Sequence, residues 1–196
     1  MAANGTVLEI CGNVASGKST LATHLRDALG AQTVLERPDR LSLFESYIRD
    51  PKNWAYQMQL QFLSDKFSRY QALQLAKLGV LDRSFEEDAT IFARLHFELG
   101  NITEERFARY TDVYNAMMST RPSSTLKLLV ACSPQTVLAR IEQRSPKERK
   151  MLRGSYFERL IELYAEFTSQ TSFDIVYDSE TETLASVTER IQAKLG

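Results

Sequence analysis

Residues 6–29 read Thr6-Val-Leu-Glu-Ile-Cys-Gly12-Asn-Val-Ala-Ser-Gly17-Lys18-Ser19-Thr20-Leu-Ala-Thr-His-Leu-Arg-Asp-Ala-Leu29. A short apolar run stops at Gly12, Gly17-Lys18-Ser19 comes four residues later, and Leu21, Ala22, Leu25, Ala28 and Leu29 then recur at helical spacing. This is G-x-x-x-x-G-K-[ST] between a strand and a helix, the context in which the motif has a mechanism. The loop Gly12, Asn13, Val14, Ala15, Ser16, Gly17 can fold its N–H groups inward, and the helix that opens at Lys18-Ser19-Thr20 adds partial positive charge, so phosphate oxygens are held there. Lys18 supplies a mobile charge for the β- and γ-phosphates, and the Ser19 hydroxyl is the expected Mg²⁺ ligand. The stretch therefore implies ATP-type nucleotide binding and leaves its use open.

Outward from this loop, the chain has 196 residues, which suits one domain over 1–196 with a substantial core. Its 24 Lys and Arg against 25 Asp and Glu give a net charge of −1, so composition offers no case for a nucleic-acid or membrane-surface partner. Cys11 and Cys132 close apolar runs, lack metal-ligand spacing and read as reduced core residues. With five residues before the first strand and no membrane-length apolar run, the expectation is a soluble cytoplasmic protein without a leader.

Further along, Ala31–Leu35 is a short apolar stretch, and Pro38 keeps the segment before it extended, which sets Glu36 at a strand's C-terminal end. In a parallel sheet that end is the ligand side. Leu41–Asp50 reads as helix up to Pro51, and Lys52–Leu78 as one long helix closed by Gly79. Val80–Asp82 is a third strand, followed by helices near Glu86–Glu98 and Thr103–Thr120, with Gly100-Asn101 as the break and Thr103 as N-cap. Leu126–Ala131 is a fourth strand, Ser133-Pro134 starts a helix running to Arg144, and Ser155–Ser169 is helical. Phe173–Tyr177 is a fifth strand and Glu182–Leu195 a closing helix. Strands alternating with helices predict an α/β fold, a five-stranded parallel sheet flanked by helices.

A phosphate loop alone does not separate a switch GTPase, an ATPase and a small-molecule kinase. The GTPase motif D-x-x-G occurs at Asp27–Gly30, inside the end of a helix where it cannot meet a γ-phosphate, and N-K-x-D is absent. A kinase acting on a hydroxyl needs a carboxylate within reach of that O–H, and Glu36 is the candidate; a surface Glu paired with Arg37 is the other reading. Asp82 can hold Mg²⁺ through water and Arg83 can steady the base carboxylate and the developing phosphoryl charge, or Asp82 can cap the next helix. Gln59 and Lys66 share a helix face and can line a ring-stacking pocket, or simply face a half-buried surface. Arg140, Arg144, Lys147, Arg149, Lys150 and Arg153 crowd into fourteen positions, either as a mobile lid at about 145–154 or as a solvated helix end. His24 and His96 sit in helical patterns and read as structural.

Taken together, GNVASGKST at 12–20, E-x-P at 36–38, DPKNWAYQMQLQFL at 50–63, DRSFEEDATIFA at 82–93 and the arginine-rich segment from 140 resemble the deoxynucleoside kinase family. The resemblance covers about Val7 to Phe167. It implies a P-loop kinase fold with an arginine-rich lid, and transfer of the ATP γ-phosphoryl group to a deoxynucleoside 5′-hydroxyl with Mg²⁺. It further implies Glu36 as base, Arg83 as phosphate-orienting arginine and Asp82 as the acid beside it. Gln59 matches the nucleobase-bonding glutamine, with Met58 next to it, and Lys66 with Asp88 stands where amine-accepting members carry an Arg–Asp pair. Tyr47 and Glu148 are the candidates for the sugar 3′-hydroxyl, and Arg140 and Arg144 for the ATP phosphates. A polar pair favours an amino-bearing base, because the wrong base leaves buried groups unpaired. Deoxyadenosine is the first choice, and a homodimer is expected through Thr103–Thr120. The alternatives are a kinase for another small acceptor, such as a nucleoside monophosphate with Arg37 and Arg40 as phosphate ligands, or a non-kinase ATPase or switch.

Overall fold

The computed structural model describes residues 5–121, 125–143, 146, 149, 152 and 154–196. Its central strand, β1 (Thr6–Cys11), is the apolar run that precedes the glycine loop. Parallel pairing joins it to β3 (Leu78–Asp82) on one side and to β4 (Thr125–Ala131) on the other. β2 (Gln32–Val34) and β5 (Ile175–Asp178) form the two edges, giving the order β2-β3-β1-β4-β5. The order reverses direction at β1, so the ligand crevice of such a sheet opens beyond the C-terminal ends of β1 and its neighbours.

The two faces differ. Leu8, Ile10, Val80, Leu128 and Val130 pack against Leu21, Ala22 and Leu25 of α1 (Lys18–Leu29) and Val187 and Ile191 of α9 (Leu184–Leu195), a layer of apolar side chains. On the opposite face Val7 and Leu81 meet Leu63, Tyr70 and Leu73 of α3 (Pro51–Leu73) and Tyr110 of α6 (Glu104–Met118). There Glu9 is fully buried on β1 and pairs with Arg121. A third cluster joins Cys11 and Val14 to Val137 and Ile141 of α7 (Pro134–Glu142) and to Leu160 and Tyr164 of α8 (Gly154–Gln170).

Most helix starts follow the sequence signals: Thr103 and Ser133 accept from backbone N–H groups three residues on, and Pro134 occupies the first turn. Three expectations need correction. The segment predicted as helix over Leu41–Asp50 is preceded by a 3₁₀ turn at Pro38–Arg40, and its α-helix, α2, covers only Phe44–Arg49. The long helix stops at Leu73, and Gly79 lies inside β3 paired with Val7 instead of capping a helix. A Cβ at Gly79 would stand 2.8 Å from the Leu73 Cβ, so the absence of a side chain lets the strand run under the helix end. Nothing local marks that boundary; sheet pairing sets it. Finally, the helix predicted near Glu86–Glu98 is a short α4 (Phe85–Glu87), a π turn (Asp88–Ala93) and α5 (Arg94–Glu98). The wider turn falls on residues that line the cleft, a usual place for one.

One buried carboxylate fastens these pieces. Glu87 Oε1 accepts from the Gly12 N–H at 2.9 Å and from the Tyr164 hydroxyl at 3.1 Å. Oε2 accepts from the Ser84 N–H and the Ser84 hydroxyl, each at 2.9 Å. The Ser84 hydroxyl in turn accepts from the Glu87 N–H, closing a capping box. The phosphate loop, the β3 end and α8 are thereby tied to one group. Each oxygen holds one backbone N–H and one hydroxyl, and a hydroxyl can turn to accept, so in Glu87→Gln the amide NH₂ faces a backbone N–H it cannot bond whichever way it turns. We predict a loss of about 3 kcal/mol, or about 6–12 °C in Tm, with weakened ATP binding. A Tm and ATP affinity equal to the parent's would show that Glu87 is no clamp.

Candidate active site

The loop after β1 is held open for an anion by its backbone. Gly12 has φ +141°, and a Cβ there would come within 2.6 Å of the Val130 carbonyl oxygen and 3.0 Å of the Ser16 hydroxyl, so only glycine fits. Ala15 adopts φ +57°, completing the turn. The Lys18 ammonium folds back and donates to the carbonyls of Gly12 and Asn13, both at 2.7 Å. Burial lowers its pKa, with the Arg83 charge acting in the same direction. From the far side the Arg140 guanidinium donates to the carbonyls of Ala15 at 3.1 Å and Ser16 at 2.8 Å, so this arginine braces the loop as well as bordering the cavity.

The Ser19 hydroxyl donates to Asp82 Oδ2 at 2.5 Å, and Asp82 is buried at the end of β3. The cap of the helix that follows is Ser84, so the alternative of a capping Asp82 is set aside. An alcohol and a carboxylate held together beside a phosphate cradle are hard oxygen donors, the kind Mg²⁺ takes while keeping waters and phosphate oxygens as its other ligands. Among the described residues there is no group of three or more His, Cys, Asp or Glu that could hold a metal ion.

Next to Asp82 the chain turns sharply. Arg83 has φ +77°, unusual for a residue with a side chain, while its N–H still donates to the Ile10 carbonyl at 3.0 Å. The turn sends the guanidinium sideways across the cleft, where it lies over the Phe92 ring at 4.1 Å and pairs with Glu36 at 3.1 Å. Glu36 lies two residues past the end of β2, 14% exposed. Its partner is thus Arg83 from another strand, and its neighbour Arg37 is exposed.

Two cavities meet at this pair. One, of about 720 Å³, is lined by the loop from Val14 to Thr20 together with Asp82, Arg140 and Ser179. The other, of about 90 Å³, is lined by Phe44, Tyr47, Gln59, Asp88, Phe92 and Tyr156 among others. Val14, Glu36, Pro38 and Arg83 line both. At the back of the smaller one Asp88 receives a 2.5 Å hydrogen bond from Lys66, whose ammonium also donates to the Ser84 carbonyl at 3.3 Å. Burial raises the Asp88 pKa, with Lys66 opposing.

Relative to the sequence-based candidates, the structure brings Glu36, Tyr47, Gln59, Arg83 and Asp88 to one cavity wall. Lys66 stands behind Asp88, and Met58 is fully buried in a cluster with Tyr47, Ala55 and Ile102; neither lines the cavity. Arg144, Glu148 and most of the segment read as a lid lie outside the described residues. Sequence reasoning missed Glu87, Phe92 and Tyr156. Ser84-x-x-Glu87 carries the capping-box spacing, and Phe92 follows Asp88 by four residues, so both signals were present. Tyr156 had none, since its place in the wall depends on how α8 docks.

The deoxynucleoside kinase family model matches residues 8–194. A deoxyadenosine/deoxycytidine kinase of Bacillus subtilis (strain 168) is 30% identical over 167 residues, 84% of this chain and 77% of that protein. A deoxyadenosine kinase of Dictyostelium discoideum is 28% identical over 169 residues, covering 86% of this chain and 69% of the relative. In three dimensions the chain is similar to a deoxyadenosine kinase from M. mycoides solved with dCMP and dCDP, at a TM-score of 0.81 and 26% identity, over 97% of this chain and 98% of that one. The anion cradle, the carboxylate facing it and the family match over nearly the whole length lead to one conclusion: the chain belongs to the deoxynucleoside kinase family and is an ATP-dependent phosphotransferase.

Proposed function

We propose that this enzyme phosphorylates the 5′-hydroxyl of a deoxynucleoside with an amino-bearing base, deoxyadenosine first, from Mg²⁺-bound ATP. One observation carries the proposal: Glu36 and Arg83 line both the phosphate-loop cavity and the aromatic cavity, so a carboxylate stands where a 5′-oxygen would approach a γ-phosphate. In this reading Glu36 takes the hydroxyl proton, while Arg83 orients it and offsets developing negative charge. Lys18 and the N–H groups of residues 13–20 hold the donor phosphates, with Arg140 and Arg144 flanking them. Ser19 and Asp82 would hold Mg²⁺, which supplies charge neutralisation between the β- and γ-phosphates when bound. Phe44, Phe62 and Phe92 close on the base, Gln59 and Asp88 bond its edge, and Tyr47 with Glu148 meets the sugar 3′-hydroxyl.

The choice of base rests on Asp88. Held by Lys66 it is an acceptor suited to an exocyclic amine, and its buried pair costs desolvation that a non-donating base would not offset. The names of the relatives lean the same way: B. subtilis deoxyadenosine/deoxycytidine kinase, D. discoideum deoxyadenosine kinase and a Lactobacillus johnsonii deoxyguanosine kinase at 29% identity all act on amino-bearing bases. We extend the proposal to a homodimer through α6, where Val113 is 37% exposed beside half-buried Tyr114 and Met117, and to one kinase domain over residues 1–196. A cytoplasmic location is also proposed; two free cysteines fit it, and no helix among the described residues is long and apolar enough to cross a membrane.

Two measurements test these roles. Glu36→Gln should bind deoxyadenosine nearly as the parent does and lower kcat by about two to four orders of magnitude, and an unchanged kcat removes Glu36 from proton transfer. The double variant Asp88→Ala with Lys66→Ala should lower the deoxyadenosine-to-thymidine ratio of kcat/KM by at least about tenfold, whereas a fixed ratio would move base selection elsewhere.

A further inference from the structure

His96 reads from sequence as a structural residue, yet its ring reaches the cleft wall. Its Nε2 lies 2.7 Å from the Tyr47 hydroxyl, with the two rings edge to face at 5.3 Å. On the other side its Nδ1 lies 3.2 Å from Asn101 Nδ2. Asn101 is fastened over it by backbone geometry. Gly100, at φ +71°, reverses the chain after α5, the Gly100 N–H donates to Phe97 and the Asn101 N–H donates to the His96 carbonyl at 2.8 Å. This is the double hydrogen bond that closes a helix on a left-handed glycine. The break predicted at Gly100-Asn101 therefore brings an amide onto the histidine one turn back.

We infer that Asn101 and His96 are positioning residues that keep Tyr47 a hydrogen-bond donor toward the substrate cleft. An amide N–H pointing at Nδ1 requires a lone pair there, so the neutral imidazole carries its proton on Nε2. Nε2–H then donates to the Tyr47 oxygen. Tyr47 has a single proton, and with Nε2 already a donor it cannot spend that proton on His96. The proton is left for an acceptor on the cleft side, either the Tyr156 oxygen, whose ring lines the same cavity, or an oxygen of a bound sugar. The opposite tautomer would draw the Tyr47 proton onto Nε2 and show a ligand only lone pairs.

The surroundings keep the system in this state. Tyr47 and His96 are both buried, at 3% and 1% exposure. Burial lowers the His96 pKa to about 4, so above that pH the ring carries one N–H and the tautomer is a real choice. Burial also pushes the Tyr47 pKa well above its ordinary value, so the phenol stays protonated.

That a sugar hydroxyl is the acceptor rests on the function proposed above; the tautomer itself does not, which separates the two tests. The chain has two histidines, so ¹⁵N–¹H imidazole correlations on histidine-labelled wild-type enzyme, assigned with His24→Gln, report His96 directly. The Nε2–H form is expected at neutral pH without any ligand; an Nδ1–H form overturns the inference. His96→Leu should raise KM for the deoxynucleoside by about five- to tenfold, with kcat and the ATP KM within about twofold. His96→Gln, whose amide can still donate, should recover most of the loss. In a Tyr47→Phe background His96→Leu should add nothing, and additive losses would reduce His96 to a packing residue. If the wild-type enzyme phosphorylates no deoxynucleoside, the substrate assignment fails while the Nε2–H signal still stands.

Discussion

The site depends on a single buried carboxylate. Glu87 is sealed from solvent, and its two oxygens accept from the phosphate loop, from the turn after β3 and from α8. A charge in that position is tolerable because four donors replace its hydration. The same contacts relate the first residue of the anion cradle to the turn that carries Arg83. Glu87 lines neither cavity, yet it ties together the loop and the turn that border both.

Beyond this clamp the cleft is built from charges of alternating sign. Asp82 with Ser19, Arg83 with Glu36, and Asp88 with Lys66 stand side by side along the β3 end and the turns after it. Each buried anion has a partner, which limits the desolvation cost, and each partner comes from a different element. The left-handed backbone at Arg83 belongs to the same design. It costs of order 1–3 kcal/mol for a residue with a side chain, and it turns the guanidinium across the cleft onto Glu36 and Phe92. In an extended conformation successive side chains would point to opposite faces of the sheet, and Arg83 could not span the gap between the two cavities.

The asymmetry of the sheet follows from this arrangement. The α1 and α9 side is a mainly apolar layer, and the α3 and α6 side carries Glu9, Lys66 and Asp88 in its interior. The first supplies hydrophobic stabilisation at roughly 1.5–3 kcal/mol for each large side chain buried. On the second, part of that stabilisation is given up for polar groups that must be paired one by one. The phenols belong to this economy too: Tyr47 is held by His96, and Tyr164 donates to Glu87.

How much of this was legible depends on the range over which each constraint acts. Sequence alone determined the phosphate loop, the alternation of strands and helices, the caps at Thr103 and Ser133, and Glu36 and Asp82 as strand-end carboxylates, because loop geometry, capping and hydrophobic period act over a few residues. It located Gln59 and Asp88 through family motifs, and the capping-box spacing at Ser84 and Glu87 stood in plain view without saying what else Glu87 would hold. Only the tertiary structure decided that the long helix yields to a strand before Gly79, that Glu36 pairs with Arg83 and not with Arg37, that Lys66 supports Asp88 from behind, that Tyr156 reaches the cleft and that His96 backs Tyr47 there. Those outcomes join residues tens of positions apart, and they are fixed by which strand docks beside which and by what a buried charge finds within reach, neither of which any local pattern encodes.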